Sequence, residues 1–477
     1  MDVSVMPGTA AESAADTLVV GVFDGQIDAL SVFGLERVLS RGVAKSEFRH
    51  VAAAPRGEDQ WVIVVGLGAQ DEFDAERARI AAAVVRRRAV ELRTEELCWQ
   101  LPEGAGDEIV AALVTGTILG AYRFDRFKPG DDAAVPQRLT LADGKDDHVA
   151  VAERAKVLAE AQNRARDLAN APPNEMTPSA LADYAVALAD RHDAISATVL
   201  DGDEIRHMGM GAFAAVAQGS DTAAKLVALT YEPPAAAGER RLALVGKAVT
   251  FDSGGYWLKP TTSQITMKFD MAGGAAVIET VAALAELRAA VRVLAVVGAT
   301  ENMISGAAMR PGDVLRALDG TTIEMNNSDA EGRLVLADCI TWAKREGCDA
   351  IVDIATLTGA AEVALGPVYA AVLSNDEELC ALALGAGERT GERLWRLPLD
   401  AGYAEMIKGR YAQIANRSER RGAGASTAAE LLHHFVGDTP WAHLDIAGVA
   451  DNATAAYLDK GGTGFGVRLL SELALSF

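Results

Sequence analysis

The sequence predicts an α/β protein built as two domains, a smaller one followed by a larger one. Short apolar runs alternate with amphipathic stretches over the first 150 residues, and the same alternation resumes beyond Thr177. Between the two stands one long helical segment that ends at a Pro-Pro pair. At 477 residues the chain also exceeds one ordinary core, so two apolar interiors are expected. The expected division is residues 1–150, a linker helix over 151–170, and residues 171–477.

In the first domain, Thr17-Leu-Val-Val-Gly-Val and Trp61-Val-Ile-Val-Val-Gly read as buried strands. The stretches from about Glu76 to Val90 and from Ile109 to Tyr122 read as amphipathic helices, which together with the strands argues a largely parallel sheet. Arg86-Arg87-Arg88 continues the first helical pattern and reads as a solvated face. Gly66-Leu-Gly-Ala-Gln-Asp71 resembles a dinucleotide turn, but Asp71 stands where the third glycine belongs and would repel a pyrophosphate, so a plain strand-to-helix turn is expected. The polar stretch around Asp143 to Asp147 leads into a helix over Val149 to Ala169, ended by Asn170-Ala-Pro-Pro. Further strands are expected at Lys225 to Tyr231, Leu242 to Val249, Val293 to Ala299, Ala350 to Ile354 and Trp441 to Ile446.

Charge narrows the function classes. With 45 Lys+Arg against 67 Asp+Glu the formal charge is −22, which argues against nucleic acid and anionic membranes as partners. Cys98, Cys339, Cys348 and Cys380 form no CxxC pair and read as reduced, mostly buried thiols. The start, MDVSVMPGTAAESAAD, has no basic segment followed by an apolar core, and no apolar run reaches membrane-spanning length, so a cytoplasmic location is expected.

The chemistry concentrates in two clusters. In the first, the apolar strand Leu244-Val-Gly-Lys247-Ala-Val-Thr-Phe-Asp252 runs into Ser253-Gly-Gly, followed by Lys259 and by Met267-Lys-Phe-Asp270-Met-Ala-Gly-Gly. Strand ends in α/β sheets are where ligands bind, and the glycine pair allows close backbone approach. In the second, Asn326-Asn327-Ser328-Asp329-Ala330-Glu331-Gly332-Arg333 places Asp, Glu and Arg at alternating positions, which in extended chain share one side. Any one of these acids alone reads as a loop carboxylate. Taken together, Asp252, Asp270, Asp329 and Glu331 repel one another unless a cation sits among them, and they supply enough oxygen ligands for two divalent ions about 3.5–4 Å apart. With no histidine in either cluster, Zn²⁺, Mn²⁺, Mg²⁺ and Co²⁺ all remain open.

The joint pattern resembles the leucyl aminopeptidase family, peptidase family M17. The resemblance runs from about residue 164 to 477 and includes Arg166-Asp-Leu-Ala-Asn170-Ala-Pro-Pro-Asn174, Glu301-Asn-Met303, Asp353-Ile-Ala-Thr-Leu-Thr-Gly359, Trp441-Ala-His-Leu-Asp-Ile-Ala-Gly448 and Gly461-Gly-Thr-Gly-Phe-Gly-Val467. It implies a variable N-terminal domain and a C-terminal catalytic metallopeptidase domain with a central mixed sheet flanked by helices.

By the same resemblance, one metal ion would be held by Lys247, Asp252, Asp270 and Glu331, and the other by Asp252, Glu331 and Asp329. Lysine must be neutral to ligate, which adjacent divalent charge favours. A metal-bridging water would attack the scissile carbonyl, Lys259 would stabilise the oxyanion, and Arg333 would hold a bicarbonate as general base. Met267, Thr356, Gly359, Ala447 and Ala450 would line the pocket for the N-terminal residue, with Asn327, Thr356 and Leu357 close to substrate or bicarbonate. Peptides are the implied substrates, Leu-like N-termini the implied preference, and a homohexamer, a dimer of trimers, the implied assembly.

Bland readings stand beside these: a salt-bridged lysine for Lys247, charge compensation of Asp329 and Glu331 for Arg333, and core packing for Met267. His443 beside Asp445 invites a catalytic role, although a satisfied core histidine explains it as well. Tyr256-Trp257 and Ala450 depart from the family pattern and bear on specificity. Two competing functions follow: a cysteinylglycine-type dipeptidase with a reshaped pocket, and a DNA-binding scaffold, against which the net charge argues.

Overall fold

In the computed structural model, which describes residues 1–26, 35, 41–128, 136–234, 240–451 and 454–477, the chain divides into two compact units. One comprises Met1–Asn163 with Thr454–Asp459, and the other Arg164–Ala453 with Lys460–Phe477.

The first unit is built on six strands: β1 (Asp2–Met6), β2 (Thr17–Phe23), β3 (Val51–Arg56), β4 (Gln60–Gly68), β5 (Glu96–Gln100) and β6 (Arg138–Ala142). They lie in the order β1-β6-β5-β2-β4-β3, parallel except for the antiparallel edge strand β3. Helices α1 (Ala75–Glu91) and α2 (Asp107–Leu119) follow β4 and β5. Asp74 caps α1 by accepting the Arg77 N–H at 2.8 Å, the role its short carboxylate suits. The arginine run on α1 departs from expectation. Arg87 is exposed, but Arg86 is buried to 1% exposure, and burial, with Arg123 nearby, pushes its pKa down to about 10. The reason is that α1 is covered on more than one side, so a one-sided solvated stripe is not available to all three residues. Gly66 to Asp71 forms the end of β4 and a short 3-10 turn ahead of α1.

Helix α3 (Asp146–Asn170) carries the chain across the division between the units, and α4 (Pro178–Ala189) starts the next alternation, with Thr177 as its cap and Pro178 in the first turn. The second unit then supplies β7 (Ile195–Asp201), β8 (Lys225–Tyr231), β9 (Arg241–Asp252) and β10 (Arg292–Asn302). It continues with β11 (Val314–Arg316), β12 (Thr322–Glu324), β13 (Ala350–Ala355), β14 (Ala370–Ser374), β15 (Leu394–Arg396), β16 (Ile414–Ala415) and β17 (Trp441–Asp445). Eight of these strands form one mixed sheet in the order β15-β14-β17-β13-β9-β10-β8-β7, and β11-β12-β16 form a small second sheet.

The inner strands β17, β13, β9 and β10 are mutually parallel, so their carboxyl ends open on one edge. They are buried along nearly their whole length, as the apolar runs require when helices cover both faces. Helices α5 (Ala272–Glu286) and α6 (Gly332–Arg345) pack on this centre, and α7 (Gly359–Leu365), α8 (Glu377–Thr390), α9 (Gly424–Val436) and α10 (Val467–Ser476) complete the layers. Among the described residues no helix is long and apolar enough to cross a membrane.

Candidate metal centre and active site

The carboxyl edge of the parallel strands assembles the charged residues. Asp252 ends β9, Asn302 ends β10, Thr356 follows β13, and Ala447 follows β17. Asp270 reaches the same edge because the start of α5 lies unusually close to the sheet. A Cβ at Gly273 would fall 2.2 Å from Ile354 O, and one at Gly246 would fall 2.7 Å from the Gly274 Cα, so neither position tolerates a side chain.

Two lysines and four acids interlock there. Lys247 Nζ lies 2.7 Å from Asp270 Oδ1, 2.8 Å from Glu331 Oε1 and 3.0 Å from the Thr356 carbonyl. Lys259 Nζ lies 2.8 Å from Asp252 Oδ2 and 2.6 Å from Asp329 Oδ1. Thr356 donates its hydroxyl to Asp270 Oδ1, Asn302 donates to Asp252 Oδ1, and Asn327 Oδ1 accepts the Asp329 N–H, all at 2.7 Å. Lys247, Asp252, Asp270 and Glu331 are all buried.

Electrostatics shows what the cluster lacks. Four carboxylates face two ammonium groups, a deficit of two positive charges if all are ionised. Burial, with Glu331 and Asp270 beside it, pushes the Asp252 carboxyl up to about 8, and burial with Glu331 pushes Asp270 up to about 6. Burial opposes the charge on Lys247, but Asp270, Glu331 and Asp252 outweigh it and hold the ammonium above the ordinary lysine range. Asp252, Asp329 and Glu331 each offer an oxygen within 4.8 Å of the others. Asp270 Oδ2 and Glu331 Oε2 are buried with no hydrogen-bond partner. Unpartnered buried carboxylate oxygens are costly unless a cation takes them, so this donor set fits hard divalent ions.

A cavity of about 650 Å³ opens over the cluster. Every residue expected to hold metal lines it, as do Lys259, Met267, Thr356, Leu357, Gly359, Ala447 and Ala450. Arg333 and Asn327 do not line it. The extended geometry expected for Asp329 to Arg333 is also corrected: Glu331 already has helical dihedrals (φ −77°, ψ −37°) as the cap of α6. Asp329 and Glu331 still meet, but through a turn into a helix, and Arg333 lies in the first turn of α6. Its Nη1 donates to Asn416 O at 2.9 Å, its Nε is buried without a partner, and burial lowers its pKa to about 10.

Sequence reasoning overlooked several contributors. Asn302 braces Asp252 and also donates to Ser328 O at 3.0 Å, joining the two clusters. Asn416 Nδ2 donates to Asn327 O at 2.6 Å and its Oδ1 accepts the Asn326 N–H at 2.9 Å. The Glu301-Asn302-Met303 motif contained the first signal, whereas an isolated Asn416 far along the chain carried none. Glu362 and Asp451 also line the cavity. His443 does not: it is fully buried, with Nδ1 2.6 Å from Asp353 Oδ1.

Comparison with known proteins agrees with this geometry. Residues 163–471 match the model of the cytosol aminopeptidase family catalytic domain, and residues 19–130 match that family's N-terminal domain. The chain is 41% identical to a probable cytosol aminopeptidase of Roseiflexus castenholzii, across 99% of this chain and 98% of that one. It is 42% identical to a probable cytosol aminopeptidase of Solibacter usitatus, across 97% of each. Among solved structures, the bottromycin maturation enzyme BotP in complex with Mn superposes with a TM-score of 0.88 at 36% identity, covering 97% of this chain and 99% of that one. Family models over both units, full-length relatives and a buried cluster suited to divalent ions show that the chain belongs to the cytosol aminopeptidase family, M17, of metallo-aminopeptidases.

Proposed function

We propose that this aminopeptidase removes Leu-like N-terminal residues from peptides, with one divalent ion held by Lys247, Asp252, Asp270 and Glu331 and a second by Asp252, Asp329 and Glu331. The observation that carries the reading is the set of buried, partly unpartnered carboxylate oxygens at the edge of the parallel strands. When bound, the ions polarise the scissile carbonyl and lower the pKa of a water. Mn²⁺ or Zn²⁺ is the proposed occupant, with Mg²⁺ or Co²⁺ as alternatives; the Mn complex of the structural neighbour supports Mn²⁺.

The chain's own residues do the rest. Lys259 presents an ammonium on the cavity wall, where it stabilises negative charge developing on the carbonyl oxygen. Arg333, with its buried Nε free, would hold a bicarbonate, which would supply a general base there. Met267, Thr356, Gly359, Ala447 and Ala450 surround the departing N-terminal side chain and exclude water from it, while Asn327, Thr356 and Leu357 orient substrate and bicarbonate. The relatives' names, cytosol aminopeptidase, support a cytoplasmic location, and a homohexamer is the assembly we carry over from the family resemblance.

The test is leucine release from a leucyl anilide after loading with Mn²⁺ or Zn²⁺, with and without chelator and bicarbonate. Turnover that needs metal and rises with bicarbonate supports the reading. Metal-dependent turnover indifferent to bicarbonate removes Arg333's role, and chelator-resistant turnover removes the metal centre.

A further inference from the structure

Two residues outside the described cavity lining are tied to the turn that carries Asp329. Trp257 stands two positions before Lys259, and its backbone N–H donates to Ser328 Oγ at 2.7 Å. Arg417 follows Asn416, and its carbonyl accepts a bond from Asn326 Nδ2 at 2.8 Å. Their side chains meet: the Arg417 guanidinium carbon lies 5.6 Å from the centroid of the Trp257 ring. Trp257 is 52% exposed, and Arg417 is exposed as well.

Arg417 forms no ion pair among the described residues, although acidic residues outnumber basic ones by 67 to 45 in the chain. A guanidinium steadied against an aromatic face, with its donors left over, is suited to grip a carboxylate in two-point fashion. The walls proposed for the N-terminal residue come from other segments, at Met267, Thr356 and Ala447 to Ala450. Trp257 and Arg417 stand instead on the two segments bonded to Ser328 and Asn326, beside the stretches that carry Lys259 and Asp329.

We infer that Arg417, held by Trp257, forms a carboxylate subsite for the leaving portion of short peptides. The inference rests on the aminopeptidase reading above. An extended chain advances about 3.3–3.6 Å per residue, so the free α-carboxylate of a di- or tripeptide emerges within one or two residues of the scissile bond. Arg417 gives that carboxylate a two-point cationic partner and so favours short substrates with a free C-terminus. An acidic side chain at the same place presents the same chemistry.

The experiment compares KM for leucylglycine, leucylglycinamide and the α-amide of leucylaspartate on the metal-loaded enzyme and on Arg417→Met, which keeps an aliphatic stem over the Trp257 ring. The expected result is a rise of about fivefold in the KM of the free acid relative to the amide, the size of effect an exposed charge pair gives. In the wild type, added salt should shift the same ratio in the same direction. A rise for the aspartyl amide alone overturns the α-carboxylate assignment and leaves acidic side chains as the ligand. A ratio unmoved by both the substitution and salt overturns the subsite. Poor acceptance of leucine would slow all three substrates in the wild type alike and leave the ratio readable, so failure of the leucine preference is distinguishable.

Discussion

Gly332 and Lys247 are packed so closely that a Cβ on the glycine would lie 2.8 Å from the lysine Nζ and 2.7 Å from its Cε. Lys247 has no room to retreat, because its ammonium is held by Asp270 and Glu331 inside a buried cluster. Gly332→Ala should therefore displace Lys247 and weaken metal binding by tenfold or more, on the order of 1.4 kcal/mol. Alanine is otherwise favoured over glycine in a helix by about 1 kcal/mol, so the fold should survive. Metal titration alongside a thermal melt checks both halves, and metal affinity equal to that of the wild type would show that Lys247 is not a ligand.

Lys259 contacts Asp252 and Asp329 but is more accessible than Lys247, as a group facing substrate should be. Lys259→Ala should lower kcat by about 10²–10³, the cost of removing one oxyanion donor, while bound metal stays constant. Loss of metal in this variant would reassign Lys259 to holding the cluster together.

Asp338 anchors the helix that begins at Gly332. Its carboxylate accepts N–H groups from Phe213 at 2.9 Å and Leu318 at 2.7 Å, and burial pushes its pKa up to about 7. A raised carboxyl pKa favours the protonated folded state, so its contribution is fullest below the unfolded value near 3.8 and is lost as pH rises through about 7. Asp338→Asn should cost roughly 1–3 kcal/mol through the disrupted backbone bond. The gap from the wild type should narrow between acidic and neutral pH in denaturant melts; a gap constant with pH would contradict this.

The buried His443, hydrogen-bonded to Asp353, titrates with the opposite polarity of charge. Burial works against the imidazolium, but the Asp353 carboxylate, its hydrogen bond and Asp445 outweigh burial and raise the His443 pKa above 6.5. The stabilisation is present below that ordinary value and disappears as pH rises through the folded one. His443→Gln should thus be most destabilising in mildly acidic buffer and approach the wild type as pH rises. Activity falling in step with a pH-independent loss of stability would count against this charge pairing.

Much of this was legible in the sequence where the pattern is long and apolar. The run from Leu242 to Val249 becomes the centre of β9 because it is buried on both faces, and Trp441 to Asp445 becomes β17 for the same reason. Local signals also sufficed at Asn170-Ala-Pro-Pro, where helix α3 ends. The short edge strands β15 and β16 left no period to read, and β16 is fixed by β12, far back in the sequence. At the site, the charged residues that gather at the cavity stood out in the sequence, whereas Asn302 and Asn416 act by bracing other groups, and an amide carries no mark of that role. The alternation at Asp329, Glu331 and Arg333 suggested a strand, but Gly332 opens a helix whose tertiary packing against β9 and β10 overrides the local pattern.

The most direct test of the two-ion centre is to titrate metal-free protein with Mn²⁺ and count bound ions per chain while following leucyl anilide turnover, for the wild type and Glu331→Gln. Activity should saturate when two ions are bound, and the variant should bind fewer ions and lose most turnover. Full activity with no ion bound, or a Glu331→Gln protein with the wild-type ion count and rate, would contradict the two-ion centre.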